Sequence, residues 1–229
     1  FVEQGYREID INLGCPFPML AKRQCGSGML PYPDKVEALL KQTEQFPDIR
    51  FSVKMRLGWE KPDECLSLIP LLNAAPLTEI TLHPRLGILQ YKGEVDMEGF
   101  TSFYEACRHP VVYNGDILTV TDIHRITDRF PNLAGVMIGR GLLTNPALGW
   151  EYKEGRKLSP EEWHEKLKAL HTAVFLHYEE QIQGGEAQLV TKMKTFWEYL
   201  APQIDRKSWK AIHKSTTLTK YNIAVRSAF

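Results

Sequence analysis

The sequence predicts a parallel α/β fold, a (β/α)8 barrel followed by a C-terminal helical domain, on three observations. Short apolar strands alternate with amphipathic helical segments five times between Arg7 and Leu148. Each strand leaves through a polar group at its C-terminal end: Asn12 and Cys15, Lys54 and Arg56, His83 and Arg85, Asn114 and Asp116, Gly139 and Arg140. Reacting groups gathered from several strand ends on one face mark a barrel, whereas an open sheet uses a single crevice. The four steps from Asn12 to Gly139 average about 32 residues, close to the roughly 31 per unit of a 250-residue barrel. An open five-stranded sheet is the alternative that fits the length.

The elements follow in order. Phe1 to Gly5 reads as the last turn of a helix, with Gly5 at its C-terminal cap. The first strand, about Arg7 to Leu13, ends in Asp10-Ile-Asn-Leu-Gly-Cys-Pro16, where an alternating pattern stops on a glycine, a thiol and a proline. The glycine-bearing Cys25-Gly-Ser-Gly28 precedes a helix from about Asp34 to Phe46. The second strand is Phe51 to Arg56, followed by a helix from about Pro62 to Ala75, bent or interrupted at Pro70.

The third strand, Glu79 to His83, runs into a connection reaching about Asp96, long enough to suggest a function. A helix near Met97 to Cys107 leads to the fourth strand, Pro110 to Tyr113, closed by Asn114-Gly-Asp116. A helix from about Thr121 to Phe130 and a fifth strand, Gly135 to Ile138, end on Gly139-Arg-Gly141 and a short helix. Five units do not close an eight-stranded barrel. The barrel reading therefore takes these as strands four to eight and expects three strands, roughly 80 to 100 residues, before Phe1.

Residues 1–150 are thus expected to be the C-terminal five units of a barrel, and 159–229 a helical domain. Ser159-Pro-Glu-Glu162 is a capping box with proline at the first helical position, opening a helix to about Gln183. Further helices are broken near Pro202 and Ser215. The net charge of zero hides an asymmetry: Gln188 to Phe229 carries +6, from Lys192, Lys194, Arg206, Lys207, Lys210, Lys214, Lys220 and Arg226 against Glu198 and Asp205. Such a tail is either a solvated helix face or a phosphate-contacting surface.

With 229 residues, 43% of them hydrophobic, the chain can bury a sizeable core. No apolar stretch approaches bilayer length, and no membrane association is expected. Cys15, Cys25, Cys65 and Cys107 lack the close pairing of a zinc site, so no metal and a reducing, cytoplasmic compartment are expected. Asn114-Gly-Asp116 and Gly139-Arg-Gly141 stand where barrels bind phosphate, through backbone N–H groups and a guanidinium, which favours a phosphate-bearing cofactor. Cys15 is the candidate for the chemistry.

These motifs resemble those of the tRNA-dihydrouridine synthases. Asp10 to Pro16, Val53-Lys-Met-Arg-Leu-Gly58, Leu82-His-Pro-Arg85 with Gln90-Tyr-Lys-Gly93, Asn114-Gly-Asp-Ile117 and Met137-Ile-Gly-Arg-Gly141 occur in the family's order across Arg7 to Pro146. Pro84 and Leu86 stand where the family usually has glycine and threonine. The resemblance implies an FMN enzyme that reduces the C5–C6 double bond of particular uridines in tRNA, with NADPH reloading the flavin. It makes Cys15 the general acid at C5, Asn12 the holder of the uracil, and Arg56 and Arg85 substrate-side residues. Lys54 and His83 would contact the flavin, and Asn114, Gly115, Asp116, Gly139 and Arg140 its phosphate. The helical tail looks like the family's RNA-binding domain, with tRNA as partner, and the protein is expected to act as a monomer.

The thiol suits that role, because an ordinary cysteine (pKa ~8.5) is mostly protonated near neutral pH whereas a carboxylic acid is already ionised. Two other functions fit less of the chain: an FMN oxidoreductase acting on free pyrimidines of the dihydroorotate or dihydropyrimidine type, and a tRNA-binding fragment without catalysis.

Overall fold

The computed structural model describes residues 1–229, which divide into two compact units. The first comprises 1–116 and 124–137, the second 117–123 and 138–229.

The first unit is built on one parallel sheet. Its strands are β1 (Glu8–Leu13), β2 (Arg50–Gly58), β3 (Leu77–Leu86), β4 (Val111–Tyr113) and β5 (Gly135–Val136), neighbours in the order β1-β2-β3-β4-β5 with no reversal. Between them run α1 (Pro18–Lys22), α2 (Pro33–Thr43), α3 (Glu64–Ser67), α4 (Ile69–Ala74), α5 (Met97–Ala106) and α6 (Val120–Arg129), the first turn of α6 being counted with the second unit. The expected long helix before β3 is two helices, α3 and α4, with Pro70 in the first turn of α4. Proline has no N–H to continue the ladder and fits a helix start. The opening residues form a single 3-10 turn, Val2–Gln4, closed by Gly5 at φ +88°.

Alternation along β2 sorts its side chains. Phe51, Val53, Met55 and Leu57 are buried apolar groups, and Leu57 packs on Gly99 of α5. Ser52, Lys54 and Arg56 point to the opposite face. On the apolar side Val36 and Leu40 of α2, Leu72 of α4 and Phe100 and Phe103 of α5 complete the core. Phe100 meets Tyr113 and Phe130 edge-on, both at 5.0 Å. Each such buried side chain contributes about 1.5–3 kcal/mol relative to exposure.

β3 is longer than its sequence pattern suggests, running through His83-Pro84-Arg85 to Leu86. Arg56 pairs His83 and Gly58 pairs Leu86, so two steps on β2 match three on β3. The extra residue falls at Pro84-Arg85, where proline cannot donate to the ladder and a bulge accommodates it.

The second unit is helical. It contains α7 (Arg140–Thr144), α8 (Leu148–Glu154), α9 (Pro160–Gln181), α10 (Gly185–Glu198), α11 (Arg206–Lys214) and α12 (Leu218–Arg226). The capping box at Ser159 and Glu162 forms as its spacing predicts, with Ser159 Oγ accepting from Glu162 N and the glutamate accepting from Ser159 N. Both guanidinium arms of Arg156 also reach Glu162, and this ion pair holds its carboxyl down at about 2. Asp205 and Thr217 cap α11 and α12. A core of Leu167, Leu189, Val190, Met193, Trp197, Leu200, Ile212, Tyr221, Ala224 and Val225 joins the last four helices. No helix is long and apolar enough to cross a membrane.

Candidate active site

Register alone assembles a polar face. Asn12 is beside Lys54, Lys54 beside Thr81, and Arg56 beside His83. Paired residues on neighbouring parallel strands point the same way, so one side of the sheet carries Asp10, Asn12, Ser52, Lys54, Arg56, Thr81 and His83. Ser52 Oγ donates to Asp10 Oδ1 at 2.7 Å on this face.

Cys15 follows β1, and its backbone is held from both directions. Asn12 Oδ1 accepts from Gly14 N and Cys15 N, each at 3.0 Å, which leaves the Asn12 amide Nδ2 to donate outward. The Cys15 carbonyl accepts from Ser27 N at 3.1 Å and Ser27 Oγ at 2.8 Å, and Ser27 is fully buried. The chain passes so close here that only glycine fits at position 26. Gly26 has φ +59°, and a Cβ there would stand 2.7 Å from the Cys15 carbonyl oxygen and 2.8 Å from its Cβ. Gly26→Ala is accordingly expected to destabilise the protein by about 2–3 kcal/mol and to displace Cys15, checked by urea unfolding and by the alkylation rate of the Cys15 thiol.

Arg56 is buried and donates to three backbone carbonyls in two segments. Its Nε donates to the Gly14 carbonyl at 3.0 Å, and one terminal nitrogen donates to Leu86 O at 3.0 Å and Gln90 O at 2.6 Å. The guanidinium also lies 5.5 Å from the centre of the Tyr91 ring. Arg85 is buried likewise. Its donors go to the Gly93 carbonyl and, as a two-armed pair, to Asp116. That pairing raises the Arg85 pKa. The two arginines expected on the substrate side thus secure the segment from Gly87 to Gly93.

The Lys54 side chain is half-buried, and its ammonium makes no hydrogen bond or salt bridge within the protein, although Asp10 on the same face attracts it. Burial lowers its pKa, and the Arg56 charge adds to the effect. His83 is 7% exposed, and burial first, then the charges of Arg56, Lys54 and Arg85, push it down to about 3. An arginine nitrogen sits 3.3 Å from His83 Nε2. Because arginine only donates, Nε2 is the acceptor and the proton of the neutral ring is on Nδ1. The site therefore offers an unpaired ammonium and a neutral imidazole N–H.

The low His83 pKa has a consequence for stability. Unfolded histidine titrates near 6.5, so the contribution of neutral His83 is fully present above that pH and decreases as pH falls toward about 3, by roughly 1.4 kcal/mol per unit. Urea unfolding at pH 7, 5.5 and 4.5 should show this slope, and His83→Gln should flatten it.

Asn114 Nδ2 donates to Met137 O at 2.8 Å, tying the end of β4 to the residue after β5. Gly115 is packed against Tyr113, whose hydroxyl would be 2.0 Å from an added Cβ. Asp116, expected at a phosphate, has its carboxylate on Arg85. In the second unit, Gly139 is the residue before α7, and exposed Arg140 is its first residue. The polar sheet face thus brings together Asn12, Lys54, Arg56 and His83, while Gly139 and Arg140 belong to the other unit.

Sequence reasoning missed Ser27 and Tyr91 as parts of this constellation. Their signals were the glycine pair around Ser27 and the long connection after β3, features that mark a close approach and a functional loop without naming the residue involved.

The profile of the dihydrouridine synthase family matches residues 1–228. The chain is 32% identical over 209 residues to the tRNA-dihydrouridine synthase B of Vibrio vulnificus, covering 90% of this chain and 61% of that protein. It is 32% identical to the Vibrio cholerae protein of the same name, covering 91% and 62%. To the tRNA-dihydrouridine(16) synthase of Pseudomonas putida it is 30% identical, covering 73% and 53%. It thus spans between about half and three fifths of the length of these relatives. With residues 1–228 matched by the family's profile, this chain belongs to the dihydrouridine synthases.

Proposed function

We propose that this protein reduces the C5–C6 double bond of uridines in tRNA to give 5,6-dihydrouridine, with FMN as flavin and NADPH as reductant. The observation that carries the reading is the polar sheet face, where Asn12 of β1 is beside Lys54 of β2 and Arg56 is beside His83 of β3, with Cys15 held by Asn12 just past the end of β1. Relatives named tRNA-dihydrouridine synthase support the substrate. The uninterrupted parallel order, with polar groups collected on the face away from α5, favours a segment of a (β/α)8 barrel over a doubly wound sheet, whose strand order reverses.

The donor set suits a flavin ring. An unpaired ammonium and an imidazole N–H match a heterocycle rich in carbonyl and ring-nitrogen acceptors, and Lys54 and His83 would hold it. When bound, FMN supplies the hydride for C6. Cys15 delivers a proton from Sγ to C5, its backbone fixed by Asn12 on one side and Ser27 on the other. Asn12 donates from Nδ2 to a uracil carbonyl, since its Oδ1 is already engaged. Arg56 and Arg85 act on the substrate side through the 87–93 segment that they anchor. The basic surplus of the C-terminal helices contacts the tRNA backbone.

The test is direct. Protein supplied with FMN, NADPH and unmodified tRNA is expected to form dihydrouridine, detected by mass spectrometry of the digested RNA, and to leave free uracil unreduced. Reduction of free pyrimidine with tRNA untouched would move the assignment to a small-molecule oxidoreductase.

A further inference from the structure

A hollow of about 430 Å³ opens between α9 and α12 in the helical unit. His164, Lys168, His171 and Thr172 line it from α9, and Asn222 and Arg226 from α12, with Glu165 as the one acidic residue. The α9 positions recur at spacings of four, three and one residues, so they share a face. Lys168 and Arg226 are both exposed and make no ion pair.

His171 is what distinguishes this hollow from a pair of surface cations. It is 7% exposed and packed among Phe175, Phe196, Trp197 and Phe229. Its Nε2 is 2.7 Å from the Tyr221 hydroxyl, which is also 2.9 Å from Trp197 Nε1. Tryptophan only donates, so the Tyr221 oxygen accepts from it. The fully buried Tyr221 proton has one acceptor within reach, His171 Nε2. Burial holds His171 down at about 4, so near neutral pH the ring carries a single proton, and that proton is on Nδ1. No buried side-chain nitrogen or oxygen lacks a partner, and Nδ1 has none within the protein, so this N–H reaches the hollow. The chain Trp197 to Tyr221 to His171 fixes the direction of that donor.

We propose that the α9–α12 hollow is a phosphate-binding site, in which Lys168 and Arg226 supply charge and the His171 Nδ1–H, Thr172 and Asn222 supply hydrogen bonds. A phosphodiester or a phosphate anion fits this set, because it offers several strong acceptors to these donors and negative charge to the two cations. The phosphate could come from the backbone of an RNA or from a free phosphate compound. The RNA source rests on the function proposed above, and the site itself does not.

Two probes separate these sources. Titrating the full chain with inorganic phosphate is expected to shift the His171 imidazole resonances in nitrogen-15 NMR and leave those of His109, in the sheet unit, in place. In filter binding, Lys168→Ala with Arg226→Ala is expected to weaken tRNA about tenfold near 0.1 M salt and to reduce the salt slope by roughly one to two, with circular dichroism unchanged. A phosphate-dependent shift without any effect on tRNA identifies a free phosphate compound as the ligand. A shift in a protein that does not bind tRNA at all overturns the RNA-based function and leaves the site standing. Strong tRNA binding that the double variant does not change, together with an unmoved His171, overturns the site and leaves the function standing.

Discussion

Cys15→Ala is expected to lower the rate of dihydrouridine formation by about 10²–10⁴-fold, the usual worth of a positioned proton donor, while flavin absorbance and the KM for tRNA stay unchanged. The separation follows from how the residue is held. Asn12 contacts the Cys15 N–H, and Ser27 contacts its carbonyl through N and Oγ. None of these bonds involves the thiol, so removing Sγ leaves the turn in place. Cys15→Ser should recover little, because a hydroxyl is a far weaker acid than a thiol. Cys25 is the natural control. It is exposed, its sulfur donates a hydrogen bond to the Arg23 carbonyl at 3.6 Å, and Cys25→Ser should be as active as the wild type. Full turnover by Cys15→Ala would remove the general-acid assignment, whereas an equal rise in KM would indicate that the thiol contributes to binding.

The strand ends were legible in the sequence because they combine two local signals, an alternating apolar run and an abrupt glycine, proline or charge. Asn12, Lys54 and His83 meet on one face for a reason visible in their spacing from the ends of their strands. What stayed hidden depends on long-range packing. The side chains of Arg56 and Arg85 are long enough to reach either substrate or backbone. The choice is made by where residues 87–93 fold, which depends on a positive φ at Gln90 and Gly93 and on the bulge at Pro84-Arg85. Proline at 84 reads locally as the end of a strand, yet the ladder resumes at Leu86. Likewise β5 is only Gly135–Val136, shorter than the apolar run to Ile138, since an apolar pattern marks burial and does not fix where ladder pairing stops. The helical tail was easier, because the capping box at Ser159 and the breaks near Pro202 and Ser215 act within a few residues of themselves.

Arg56→Ala is expected to give the largest loss of stability of any single change at the site, about 4 kcal/mol, or a fall in melting temperature of roughly 8–16 °C for a chain of this size. The side chain is 2% exposed, and its removal leaves the carbonyls of Gly14, Leu86 and Gln90 without their charged donor and opens a void between the two segments that carry them. Hydrogen bonds to a charged group are worth about 1.5–3 kcal/mol each, and the sum is reduced where neighbours relax or water enters. Arg56→Lys retains the charge but lacks the planar fork that serves Gly14 in one direction and the 86–90 segment in the other, so it should recover less than half of the loss. Two measurements decide between bracing and substrate contact. A brace predicts lower melting temperature in both variants and faster hydrogen exchange at Gly14, Cys15 and residues 87–93. A direct substrate contact predicts a raised KM for tRNA with melting unchanged. Because Arg56 joins the Cys15 turn to the segment held by Arg85, the bracing outcome also predicts that activity falls through misplacement of Cys15, seen as a lower kcat.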